Sequence, residues 1–449
     1  MIKHLENTAS ALRIGSLVVL LLGAPVACDT NVSNPGPVED KFLNDRNAAS
    51  AMVSGAGRAL SQGINWIGYT GAAVAREIHP AGSTGSFGIS NRWQTGELGA
   101  DDSDLDTHWA EGQRARWIAE EALRRLEAAG APPAGSLQTP AAYYNALQLA
   151  YLYAGFANRV LGENMCDAVI DGSGKLDNSV YFTRAESLFT KAIAVTGGTP
   201  ATIATQATAA YAGRAQARLY LKKYTEATTD AGQVAIGFVY NISYFNIGDD
   251  AQRNRIAWAI DNTPYRAHTE WNTWYYDYSQ SSHDPRVPIT ITALQGDAAI
   301  NCATVVNGAC VTGKVPFYPE AKHTVSASPI RLASGREMRL IEAEAKLRGG
   351  DVAGAVASIN LVRTNANAGS TVTATTSDDA WTALKKERGI ELWLEARRLG
   401  DMRRWKADNT PGALDPLEQP GLATSHLVKQ DLCFPISTAE RQTNPKLTS

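Results

Sequence analysis

The chain has 449 residues, 44% of them hydrophobic and 19% charged, enough apolar side chains for one large core or two smaller ones, which excludes disorder as the default state. Its 42 basic and 45 acidic residues are interspersed and leave a net charge of −3. No basic field exists to hold a phosphate backbone, so nucleic acid is not an expected partner.

From the N-terminus, Lys3 and Arg13 precede an apolar run from Ile14 to Leu22, followed by Gly23-Ala24-Pro25-Val26-Ala27 and then Cys28. So short a run does not cross about 30 Å of hydrocarbon. Residues 1–27 therefore read as a signal peptide. Cleavage before Cys28, as at a lipobox, would leave an N-terminal cysteine for acylation, and each buried CH₂ then contributes roughly 0.8 kcal/mol of membrane anchoring. Pro25 stands where lipoboxes usually carry Leu, so secretion without a lipid is the other reading. Residues 28–40, with Pro35, Gly36 and Pro37, read as a tether to the domain that begins at residue 41.

A first helical part spans residues 41–240. Ala110 to Ala129 predicts a helix, rich in Ala, Glu and Arg and ended by Gly130 before Pro132-Pro133. Tyr143 to Leu161 predicts a second, stopping near Gly162, and Ala185, Leu188, Ala192 and Val195 form a helical stripe. Ala209 to Tyr220, a short turn at Lys222-Lys223-Tyr224, and Thr225 to Ile236 follow the rhythm of a tetratricopeptide repeat.

Residues 241–328 break that rhythm with Pro, Gly, Asn, Tyr and Trp and predict long loops with a few short strands. Residues 329–449 return to helices. A hairpin joins Arg336–Leu347 to Val352–Val362, with Gly349-Gly350 at the turn and Asp351 as cap. One long helix is expected from Trp381 to Trp405. The expected fold is thus mainly α, a tetratricopeptide-like scaffold carrying irregular loops.

Four cysteines remain after Cys28, and outside the cytoplasm a disulfide is the natural reading. The turn-like Val306-Asn307-Gly308 favours a bridge between Cys302 and Cys310, and leaves the pairing of Cys166 and Cys433 open. Neither cysteine nor histidine spacing fits a zinc site, so no metal or cofactor is implied.

Glu391 and Glu395 stand one turn apart on the expected final helix, and a glycosidase needs two carboxylates about 5–9 Å apart. Arg388 precedes the first by three residues and Arg398 follows the second by three, which predicts a buried ionic network that fixes packing. Asp102, Asp104 and Asp106 alternate as calcium ligands can, but Thr107 and Gln113 occupy the loop positions where Gly and Glu belong. Gly172-Ser173-Gly174-Lys175 lacks the spacing of a phosphate-binding loop, and no GxSxG elbow occurs.

The best candidate for ligand contact is the run Trp271-Asn272-Thr273-Trp274-Tyr275-Tyr276-Asp277-Tyr278. Pyranose rings lay flat C–H faces on aromatic rings while Asn and Asp reach the hydroxyls. Read as a strand, the run puts Trp274 and Tyr276 on one face and Tyr275 on the other. The alternative is that half of these rings fill the core. Trp66, Tyr69 and Trp93 are candidates for the opposite wall.

Several ordered motifs in the last third resemble the SusD/RagB family of outer-membrane nutrient-binding lipoproteins. They are Arg339-Leu340-Ile341-Glu342-Ala343-Glu344-Ala345, Ile359-Asn360-Leu361-Val362-Arg363, Glu387-Arg388-Gly389-Ile390-Glu391-Leu392, and Glu395 to Trp405. Phe434-Pro435-Ile436-Ser437 and Asn444-Pro445 match the family's ending, and Asp284-Pro285-Arg286 is similar upstream.

The resemblance implies a helical scaffold with a loop-built binding face and no catalysis. It also implies a lipid anchor at the outer membrane facing the exterior, a glycan or other nutrient as ligand, and a TonB-dependent transporter barrel (SusC-like) as partner. Two other functions fit the residues alone: a protein-binding helical-repeat scaffold, and a cryptic glycoside hydrolase using Glu391.

Overall fold

The computed structural model describes residues 40–83, 89–247, 250–261, 265–307 and 309–447. The expected signal peptide, Cys28 and most of the tether lie outside these residues. The chain divides into two units, Met1–Leu43 and Asn44–Ser449. Of the first, only Asp40–Leu43 are described, in a 3-10 turn. All that follows concerns the second.

Among the described residues eleven helices of eight residues or more build it: α1 (Ala49–Val74), α2 (Leu105–Ala129), α3 (Pro140–Asn164), α4 (Ser179–Ala194), α5 (Pro200–Tyr220), α6 (Tyr224–Ala231), α7 (Trp274–Ser282), α8 (Gly335–Arg348), α9 (Val352–Asn365), α10 (Ser377–Glu391) and α11 (Arg398–Ala407). Each helix from α1 to α5 packs on the next, α6 packs on α8, and α8 on α9 and α10. Sequential neighbours in contact through short turns are what helical-repeat scaffolds require. Among the described residues no helix is long and apolar enough to cross a membrane.

Local chemistry explains the helix ends. Thr139 accepts a hydrogen bond from Ala142 N ahead of Pro140, and Asp351 accepts from Gly354 N, the cap expected of it. Small residues set how close the helices come. A Cβ at Gly155 of α3 would stand 2.6 Å from the Phe189 ring of α4, and one at Gly213 of α5 would stand 2.4 Å from it. Phe189 is clasped between two glycines. Helix α6 stops at Ala231, short of the expected Ile236.

Two expectations are overturned. The long helix from Trp381 to Trp405 is two helices, interrupted at residues 392–397, where Leu394 (φ 58°) and Ala396 (φ 60°) take left-handed backbone. Partners elsewhere in the fold hold that break: Leu394 N donates to the buried Glu77 carboxylate at 2.9 Å, and Asn164 Nδ2 donates to the Ala396 carbonyl. The Trp271–Tyr278 run is not a strand either. Thr273 caps α7 by accepting from Tyr276 N, and the helix carries Trp274 to Tyr278.

Strands are short and paired in twos, all antiparallel: 79–80 with 268–269, 167–168 with 176–177, 239–242 with 330–334, and 300–306 with 309–313. The last hairpin sets Cys310 opposite Val305 in its backbone register; the side chains of Cys302 and Cys310 lie outside the described residues. Cys166 and Cys433 form a disulfide just after α3, where Cys166 N also donates to the Phe434 carbonyl. The C-terminal segment is thereby fixed to the end of α3.

Candidate functional site

Helix α7 sorts the aromatic run by a helical period rather than by alternation. Trp274, Tyr275 and Tyr278 are buried, while Tyr276 stays half-exposed beside the exposed Asp277. Tyr275 stacks on Trp393, Trp274 lies 3.9 Å from Tyr275 between ring centres, and Lys386 and Arg398 approach the Trp274 ring. Trp274 is therefore core and offers no platform, and it differs from Tyr276 rather than matching it. Tyr276 stacks on Tyr318 with centroids 5.2 Å apart and planes 22° from parallel.

Trp271 is half-buried just before α7, packed on Ala81, Ile300, Ala303 and Val315 with its ring edge-on to His79. His79 in turn lies 5.8 Å from His426, which borders a hollow of about 320 Å³ with Asn301, Leu422 and Val428. Trp271 and Tyr318 thus stand on neighbouring loops of the 265–320 region, since Tyr318 N and Trp271 N both donate to Thr269 Oγ1, and Tyr276 meets Tyr318 from the first turn of α7.

The expected opposite wall is not built. Trp93 is fully buried, edge-on to His108 at 4.8 Å, so it contributes to the core. Trp66 is half-buried and also touches His108, and the Arg255 guanidinium covers its face at 3.8 Å. Tyr69 is buried, with its hydroxyl 2.6 Å from His268 Nδ1.

A second feature lies where α10 ends. Glu391, Glu395, Arg388 and Arg398 are all buried, as a packing network requires, but they do not pair with one another as their spacing predicts. Arg388 bonds Asp401 at 2.7 Å and Arg398 bonds Glu418 at 2.7 Å. Glu391 instead receives Arg331 and Arg336 at 2.9 Å and Arg286 at 3.2 Å. Glu395 receives Arg331 and Lys322, each at 2.7 Å. The break after α10 is the reason: it takes Glu395 off the helix and turns both acids toward partners distant in sequence. Arg286, Lys322, Arg331, Arg336 and the two glutamates line a cavity of about 510 Å³.

That geometry opposes glycosidase chemistry. Burial raises the Glu395 pKa, but Arg331 and Lys322 outweigh it and hold the carboxyl at about 2. A general acid needs the reverse shift. Burial does push Glu77 up to about 7 and raises Glu270 well above the usual range, yet both are sealed in the interior, away from any substrate. Nothing in the sequence pattern distinguished these two acids. Among the described residues no cluster of three His, Cys, Asp or Glu could hold a metal; Asp102 instead accepts from Asp104 N, and Asp106 from Ala439 N.

The class of protein is therefore a helical scaffold that carries half-exposed aromatic rings and a charged cavity. Residues 322–449 match the model of the SusD family. The fold is similar to that of a SusD/RagB family protein from Bacteroides thetaiotaomicron, with 14% identity, coverage of 90% of this chain and 95% of that one, and a TM-score of 0.62. It is also similar to a SusD-like carbohydrate binding protein from Bacteroides vulgatus (14%, 90% and 97%, TM-score 0.58) and to a SusD-like protein from Bacteroides fragilis (14%, 82% and 88%, TM-score 0.58). No curated protein matches the chain in sequence. Residues 322–449 thus carry the SusD-family segment, and the fold of the chain is similar to that of SusD-like structures.

Proposed function

We propose that this protein captures glycans at the cell surface and delivers them to a TonB-dependent transporter of the outer membrane. The observation that carries this reading is the pair of half-exposed aromatic sites, Trp271 and the stacked Tyr276–Tyr318, held on α7 and the loops beside it. Flat rings accept the C–H faces of sugars without a catalytic group beside them. A protein of the same fold is described as carbohydrate binding, which supports the same ligand class here. The protein acts as a non-catalytic lipoprotein, held at the outer membrane through Cys28 and the tether that follows it, with a second disulfide at Cys302–Cys310.

The test is a glycan array with the chain from residue 29 onward, followed by titration of the best ligand. Tyr276→Ala and Trp271→Ala are expected to lower affinity at least tenfold, with Tyr276→Ala leaving the melting temperature nearly unchanged because the ring is half-exposed. Full affinity in both variants overturns the assignment. Anchoring is tested separately: a fatty-acid analogue should label the full chain and not Cys28→Ser.

A further inference from the structure

The cavity at the end of α10 is lined by four cations, Arg286, Lys322, Arg331 and Arg336, and by Glu391 and Glu395. Arg286 is taken up by three carboxylates, Asp284 and Glu387 at 2.7 Å and Glu391 at 3.2 Å. Arg331 is shared between Glu391 and Glu395. These two arginines are the more buried, with side chains 6% and 13% exposed, and they alone give each cavity glutamate a cation.

Lys322, which also bonds Glu395, and Arg336 are the more exposed pair at 22% and 24%. Arg336 donates only Nε, to Glu391, and its two terminal amino groups have no protein partner among the described residues. An arginine with two unpartnered amino groups beside a lysine, both partly exposed at a water-accessible cavity, forms a site for an anion.

The cavity adjoins the aromatic site through the chain itself. Tyr318 and Lys322 are four residues apart, at most about 14 Å along the backbone, the length of a short oligosaccharide. Ala321 N donates to the Pro288 carbonyl at 2.8 Å and fixes that segment beside the residues that follow α7.

We infer that Arg336 and Lys322 bind the anionic substituent, carboxylate or sulfate, of a sugar chain whose neighbouring rings lie on Tyr276 and Tyr318. This selects acidic over neutral glycans and rests on the glycan-binding reading above.

Trigalacturonate, its methyl ester and a sulfated galactan trisaccharide are titrated against the full domain, the Lys322→Gln/Arg336→Gln double variant and Tyr276→Ala. The parent is expected to bind at least one acidic chain tenfold or more tighter than the ester, and raising salt from 20 to 500 mM should erase that margin. Which acid gains tells carboxylate from sulfate. The double variant should lose the margin and keep ester affinity, whereas Tyr276→Ala should weaken every chain. Equal affinity of the parent for acid and ester overturns the anion site and leaves glycan binding standing. A parent that binds no chain overturns both. A margin that survives in the folded double variant, or persists in high salt, also overturns the assignment to Arg336 and Lys322.

Discussion

The helical hairpins of residues 140–231 and the layer built from residues 284–418 both combine apolar contacts with buried ion pairs, but in different proportion. In the first, small apolar residues bring helices into contact: Ala209, Ala210, Ala212, Ala215 and Ala217 are buried along α5, and Phe189 fills the space left by Gly155 and Gly213. In the second, buried acids and arginines interlock: Glu391 with three arginines, Asp401 with Arg388 and Arg404, and Glu344 with Arg404 and Arg348. Apolar contacts lose a methylene at a time. A buried ion pair fails all at once, because removing one partner leaves the other charged and dry.

That contrast sets the largest expected effect. Glu391→Ala should lower stability by roughly 3–5 kcal/mol by stranding Arg286, Arg331 and Arg336, read by denaturant unfolding. A loss below about 1 kcal/mol would erase the distinction between the two regions. Reduction of Cys166–Cys433 comes next, at roughly 2–5 kcal/mol, since the bridge closes a loop with a sequence separation of 267. Thermal unfolding with and without reductant measures it, compared with Cys166→Ser/Cys433→Ser.

Buried histidines should make the interior sensitive to acid. Burial, which outweighs the carbonyl of Asp104 nearby, holds His108 down at about 4, and burial together with Arg76 holds His268 at about 3. An unfolded chain takes up these protons first, near 6.5. The stability they represent is therefore complete above pH 6.5 and lost as pH falls toward 4, on the order of 3 kcal/mol for His108. Glu77, pushed up to about 7 by burial, acts in the other direction, since its penalty grows as pH rises from about 4.5 to 7. His108→Gln should flatten the profile of melting temperature between pH 6.5 and 4.

The smallest effect belongs to the apolar region. Gly213→Ala should cost about 1–3 kcal/mol through overpacking against Phe189, and Phe189→Leu in the same chain should recover part of it. A stable Gly213→Ala would mean that the hairpins separate more readily than their contacts imply.

What the sequence determined by itself is what depends on neighbours in the chain. Helices α2, α3, α5, α8 and α9 fall where apolar spacing, glycine stops and caps put them, because a helix is specified by residues within a few positions of one another. Closely spaced cations and acids also announced a buried network around Glu391 and Glu395. The partners in that network were decided only by the fold. Arg286 reaches Glu391 across 105 residues, Arg331 reaches Glu395 across 64, and Glu77 holds Leu394 across 317, pinning the break between α10 and α11. The same holds for Trp274, which reads as exposed or buried equally well until Tyr275 and Trp393 close over it. Local propensity favours continuing the helix through Leu394, but a buried carboxylate that would otherwise lack a donor outweighs the roughly 1–2 kcal/mol of a left-handed residue.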